Sequence, residues 1–264
     1  MKTKTSLTIL ATLGLNIVSQ TLAQNLLTNG SFEFPALPSN YAQGFDSGST
    51  NLTGWLPGGT GAITLVSAPW PLPPTNASQG QQFVDFNGGN QAVAQTLSQT
   101  FDTLIGKTYT VRFAVGCGGL AGGTMSFAIE VTSDTAAVLT NLTVIAPASF
   151  TWASPTIFRF RATSAKSTLT FRDTSLVTVS VDLLLDDVSV EPVNTVLSIR
   201  RFPLELCWDT LTGITYQLQY CSDLTTNVWT DLGAPLPGDD ATHCVNDTIV
   251  PGQSRKFYRI VELP

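Results

Sequence analysis

From Lys107 onward apolar and polar positions alternate: Tyr109, Val111, Phe113 and Val115 fall on one side, Thr108, Thr110 and Arg112 on the other. A period of two predicts a strand with one face in a core and the other toward solvent. A glycine-rich loop at residues 116–123 is expected to end it, and Phe127, Ile129 and Val131 mark the next strand. The pattern returns where Phe158 and Phe160 alternate with Arg159 and Arg161, and where Leu169 and Phe171 alternate with Thr170 and Arg172. Past the first 23 residues no segment repeats its apolar positions at helical spacing, so the pattern predicts an all-β chain.

Around residues 191–195 this pattern stops and a shorter one begins. Leu204, Leu206 and Trp208 alternate, a turn is expected at residues 211–213, and Tyr216, Leu218 and Tyr220 alternate back, which predicts a hairpin. Further short strands are expected at residues 228–229, 242–245 and 257–261. The break divides the chain into a leader at residues 1–23, a larger β domain at 24–192 and a small β module at 193–264. Lys2 and Lys4, an apolar stretch at 7–18 and the small-residue end Thr21-Leu22-Ala23 give the leader the form of an export signal.

Charge narrows the partners. The chain has 13 Lys and Arg against 19 Asp and Glu, a net charge of −6 that becomes −8 once Lys2 and Lys4 leave with the signal. Its basic residues are few and scattered, so it lacks the cationic footprint that a phosphate backbone requires, and nucleic acid is excluded as a partner. No apolar run outside the leader approaches the roughly 20 residues of a membrane span. The expected location is therefore secreted or at the cell surface, where disulfides persist. The cysteines are Cys117, Cys207, Cys221 and Cys244. In the expected hairpin Cys207 and Cys221 lie about four pair positions apart, roughly 13 Å, beyond the roughly 7 Å between bridged Cα atoms. Cys244 is then the partner of one of them, and the pattern leaves open which. No cysteine pair has zinc-site spacing, and His243 is the sole histidine.

Residues 34–90 are rich in Pro, Gly, Asn and Ser. Long loops on a rigid sheet often carry binding, although they also serve as packing lids. Sugar sites combine an aromatic face with a few polar groups that fix hydroxyls. Trp70, Trp55, Tyr41 and Trp152 are the candidate stacking residues, with Trp70 favoured because the prolines at 69, 71, 73 and 74 keep it in a loop. Arg112, Arg159, Arg161 and Arg172 occupy the polar side of alternating strands; on one shared sheet they would line a groove for hydroxyls or uronic carboxylates. A Gly-x-Ser-x-Gly elbow is missing and His243 sits beside Cys244, which gives no support to a His-based hydrolase. A glycosidase needs only two carboxylates, so a glycan-active enzyme stays as an alternative.

Five segments occur in a recognisable order: NLLTNGSFE at 25–33, Gly54-Trp55, GQQFVDFNG at 80–88, SQTFDTLIGKTYTVRFAV at 98–115 and LDDVSV at 185–190. Together they resemble the galactose-binding-like jelly-roll domains of the choice-of-anchor C and domain-of-unknown-function 642 group. That resemblance implies a jelly-roll β-sandwich whose first and last strands are neighbours, carbohydrate binding without catalysis, and a structural Ca²⁺ held by Glu33 with Asp186 or Asp187. Calcium takes six to eight oxygens, which acids and backbone carbonyls can supply. Asp186 shares the parity of Val188 and Val190, which would turn its carboxylate toward the core. The same acids could instead accept backbone hydrogen bonds at strand ends. The last 69 residues, 196–264, look like a fibronectin-type β module of bacterial exported proteins; the hydrophobic segment and basic tail usual in the anchor-C group are missing from them. The expected function is recognition of cell-wall or extracellular polysaccharide, with an adhesive surface protein that binds protein partners as the first alternative.

Overall fold

The computed structural model describes residues 24–176, 179–194, 197–200, 204–226, 228–248 and 256–263. The export-signal expectation falls on residues 1–23, outside the described residues. Eighteen strands and no helix are found among the described residues.

Two antiparallel sheets form the larger sandwich. One runs in the order β1 (Ala42–Asp46), β3 (Ala62–Ser67), β4 (Gln82–Asp85), β11 (Val181–Pro192), β6 (Thr108–Gly119) and β9 (Thr156–Arg161). The other runs β2 (Leu56–Gly58), β5 (Thr96–Asp102), β10 (Lys166–Asp173), β7 (Ser126–Ser133) and β8 (Val138–Ile145). Their inner faces meet in one core, with Val84, Val111, Phe113, Leu183 and Leu185 from the first sheet against Leu97, Phe127, Ile129, Leu169 and Phe171 from the second. Phe113 and Phe127 both pack edge-on against Phe171, with centroids 5.1 and 5.7 Å away. The all-β jelly-roll sandwich is the fold the chain adopts.

The head of this sandwich lies along its tail. Leu26 N donates to Val190 O at 2.8 Å and Val188 N to Gly30 O at 2.8 Å. The Asn25 carboxamide completes the clasp, accepting from Val190 N at 2.9 Å and donating to Val188 O at 3.0 Å. A Cβ on Gly30 would stand 2.0 Å from the Val188 carbonyl oxygen, so this contact requires glycine.

Three expectations are corrected. The glycine-rich stretch does not end β6, which continues through Gly119. Its outward Gly116 lies beneath the Trp152 ring, which would stand 2.8 Å from a Cβ there, so the small residues serve packing rather than a turn. The hairpin of residues 204–220 does not form. β13 (Glu205–Asp209) pairs with β12 (Leu197–Arg200) and β17 (Thr242–Asn246), whereas β14 (Thr215–Cys221) pairs with β15 (Thr230–Asp231), β16 (Leu236–Pro237) and β18 (Phe257–Leu263). The intervening turn carries the chain between sheets, so Leu206 and Trp208 meet Tyr216 and Leu218 across a small core instead of along a ladder. The parity argument for the disulfide thus rested on a pairing that does not occur, yet Cys244 is the partner: it bonds Cys207 from the directly opposed position on β17. Third, Asp186 does not follow Val188 and Val190. The β11 register shifts between Asp186 and Ser189, and Asp187 takes a positive φ of 52°. This bulge sends Asp186 out on the side of Leu184 while Val188 and Val190 stay in the core.

The C-terminal sheets rest against the β6–β9 edge. Arg161 donates to Leu263 O at 2.5 Å and to Glu262 O at 3.3 Å, and Thr108 Oγ1 donates to Glu262 Oε2 at 3.3 Å.

Candidate functional site

The outer face of the five-stranded sheet is open and polar. Strand register sets its side chains in rows: Thr100 beside Thr168 and Thr132; Ser98 beside Thr170, Glu130 and Asn141; Thr96 beside Arg172, Ala128 and Thr143. The Thr100 and Thr168 hydroxyls are hydrogen-bonded at 2.8 Å. Two shallow depressions lie on this face. One of about 420 Å³ is lined by Ala128, Glu130, Asn141, Thr143, Thr170 and Arg172. The other, of about 430 Å³, is bordered by Thr28, Leu56, Ser98 and Thr100. Alternation explains the division: Leu97, Phe101, Ile129, Leu169 and Phe171 fill the core, so every second residue of the same strands must face outward.

The middle of the outer face of the six-stranded sheet, along β3, β4 and β11, is covered. Residues 68–80 fold over it, closed by Trp70 N donating to Thr75 O and Gly119 N donating to Pro73 O. Trp70 is half-buried against Val66, Phe83 and Leu184. Trp152 joins the cover with its indole N–H on Asn76 O at 2.9 Å and its ring edge-on to Phe83. Beneath the cover a gap of about 10 Å³ remains, lined in part by Asp85 and Asp182. That volume holds about one water and no sugar ring. Burial, with the neighbouring Asp182 as the second cause, raises the Asp85 carboxyl well above the usual carboxylate range, and burial raises Asp182 as well.

The structure disperses the expected stacking residues. Trp55 is 3% exposed, donates its indole N–H to Asn29 O at 2.9 Å and stacks obliquely on Phe32, so it belongs to the core and offers no platform. Trp70 faces its own sheet, while Tyr41 is half-exposed at the entry to β1. The four arginines do not share a groove either. Arg112, Arg159 and Arg161 sit on β6 and β9 in one sheet, Arg172 on β10 in the other. Arg112 is bound to Asp187 at 2.6 Å, and Arg159 lies 3.9 Å from Asp240. Equal parity within strands could not reveal that they belong to opposite outer faces.

Glu33 and Asp186 address the same segment from two sides. Glu33 Oε1 accepts from Gln81 N at 2.8 Å and Gln82 N at 3.0 Å, and Asp186 Oδ2 accepts from Gln79 N at 2.7 Å. Asp186 Oδ1 also accepts from Asp187 N at 2.7 Å. Burial pushes the Asp186 carboxyl up to about 8, against the backbone amides that draw it down. Asp187 turns to Arg112. Glu33 and Asp186 both accept backbone amides of the 79–82 segment, Asp187 turns away from it, and among the described residues the three acids do not converge as a cluster.

Thr170, Glu130, Asn141 and Thr143 were missed as site residues. Their signal was present in the polar half of each alternating strand, but threonine on a strand face is also the ordinary solvent-side choice.

A two-sheet antiparallel sandwich with one sheet face covered and the other left polar is the architecture that these observations define. Residues 25–191 match the family model DUF642, described as a protein of unknown function, and the chain belongs to that family. No curated protein matches the sequence. Among solved structures, TmCBM61 in complex with β-1,4-galactotriose is similar at 18% identity, covering 65% of this chain and 100% of that one, with a TM-score of 0.45. The CBM22-1 xylan-binding domain from Paenibacillus barcinonensis is similar at 14% identity, covering 59% of this chain and 95% of that one, with a TM-score of 0.38. The enzymatically active domain of bacteriophage CBA120 tailspike protein 4 is similar at 15% identity, covering 64% of this chain and 21% of that one, with a TM-score of 0.43.

Proposed function

We propose that this is an exported, noncatalytic carbohydrate-binding protein whose ligand lies across the outer face of the five-stranded sheet. The rows of side-chain hydroxyls carry the reading. Each hydroxyl both donates and accepts, as sugar hydroxyls do. A linear glycan laid across the strands meets a new row member about every 4.8 Å. Arg172, Glu130 and Asn141 add fixed directions to this adaptable surface. Glu130 is the one carboxylate lining either depression, whereas glycoside hydrolysis works through a pair, which supports binding without turnover.

A glycan panel with the exported chain tests the reading: wild type binds a subset, and Thr170→Tyr, which fills the floor of the larger depression, abolishes binding without lowering the melting temperature. A blank panel overturns it in favour of an adhesive protein that recognises protein. Release of new reducing ends from any polysaccharide would favour the enzyme.

The Cys207–Cys244 disulfide supports an oxidising extracellular location, with the fibronectin-type C-terminal module of residues 193–264 as spacer or attachment. A structural Ca²⁺ at Glu33 and Asp186 belongs to the same proposal, because the two carboxylates serve one segment, residues 79–82, and Asp186 is fully buried with no cationic side chain bonded to it. A chelator should then lower the melting temperature, and Glu33→Gln should remove that sensitivity.

A further inference from the structure

We infer that the sheet face selects acidic polysaccharide, with Arg172 gripping the carboxylate of a uronic sugar laid across β10 and β7; this rests on the sheet-face site proposed above. The other arginines with described side chains are occupied. Arg112 holds Asp187, Arg159 faces Asp240, Arg161 holds the backbone of Glu262 and Leu263, and Arg259 bonds Gln219 while lying over Trp229. Among these residues Arg172 alone makes no ion pair, hydrogen bond or ring contact.

Its setting suits an external anion. Arg172 is exposed near the end of the central strand, and the residues directly opposite it on the two flanking strands, Thr96 and Ala128, are too short to shield it. A guanidinium presents paired N–H donors in a plane that matches a carboxylate, whereas a neutral hydroxyl uses only one of them. Glu130 stands diagonally across the β10–β7 ladder, opposite Thr170, and forms no ion pair with Arg172. It therefore leaves the guanidinium uncompensated and fixes polarity: the sugar carboxylate goes to the Arg172 row, and the hydroxyl edge goes to Glu130 and Asn141, where Glu130 accepts hydrogen bonds.

The test uses the exported chain with a linear uronic-acid homopolymer and the same polymer after reduction of its carboxyls to primary alcohols, which keeps every linkage. Wild type should bind the acidic polymer about tenfold more tightly, the scale of one charge-assisted hydrogen-bonded contact. Arg172→Gln should remove that preference, weakening the acidic polymer at least about fivefold more than the reduced one. Glu130→Gln should raise affinity for the acidic polymer by about threefold, as expected for removal of a screened like charge. Equal wild-type affinity for the two polymers, or equal loss on both in Arg172→Gln, overturns the inference and leaves the sheet-face reading standing. Binding to neither polymer overturns the inference too, and the broader reading falls with it only if the glycan panel is also blank.

Discussion

The two outer faces of the larger sandwich are built from the same alternating strands yet have opposite fates. The six-stranded sheet turns Val66, Phe83 and Leu184 outward, and that apolar strip is roofed by residues 68–80 together with Trp152. The five-stranded sheet turns out threonines, Ser98, Glu130 and Arg172, which need no roof. Of the aromatic residues that would ordinarily advertise a sugar site, Trp70 and Trp152 are consumed by the roof and Trp55 by the core, while Tyr41 stays half-exposed. In the proposed reading, recognition falls to hydroxyls and one guanidinium on the bare face.

Substitutions can break this contrast, and the largest effect should come from the roofed face. Phe83→Ala removes a fully buried ring beneath the cover and should cost about 3–5 kcal/mol in denaturant unfolding, with glycan affinity unchanged. Trp70→Ala, at a half-exposed position, should cost about 2 kcal/mol. If Trp70→Ala instead abolished glycan binding at full stability, the roles of the two faces would be reversed.

The acids under the cover give the contrast a pH dependence. The folded Asp186 carboxyl is raised to about 8 from 3.8, so the folded state holds a proton that the unfolded state releases. That stabilisation is complete below about pH 4 and is lost as pH rises toward 8, with Asp85 and Asp182 shifted in the same direction. Melts in chelator across this window should show stability falling by an amount on the order of 1 kcal/mol or more. Asp186→Asn should flatten the profile, and saturating Ca²⁺ should do so in wild type if the ion binds there. The smallest effect should come from the bare face: Thr168→Val should change stability by less than about 0.5 kcal/mol while weakening glycan binding, measured by calorimetry.

Much of this architecture was legible. The alternations beginning at Tyr109, Phe127, Phe158 and Leu169 became β6, β7, β9 and β10, and the acidic head and tail proved to be neighbours. A period of two reports which residues share a side of one strand. It does not report which sheet receives the strand, and so Arg172 was grouped with arginines on the opposite face. Nor does it report whether successive strands pair in a ladder or face each other across a core, which is why β13 and β14 were read as a hairpin. Trp55 and Trp70 looked alike in loops, and only tertiary contact separates a core ring from a roof tile. The bulge at Asp187 reversed the expected side of Asp186, a local irregularity that the residues Asp186-Asp187-Val188 do not announce.

Cys117 and Cys221 are both reduced and buried, the first in the larger core and the second on β14 of the C-terminal sheets. Burial, followed by the charge of Asp182, also pushes the Cys117 thiol up, which keeps it unreactive while its surroundings stay closed. Each part of the molecule thus carries a silent sulfhydryl that only opening unmasks. Alkylation read by mass at the two positions would clock the breathing of the two parts separately, in one tube and with no residue changed.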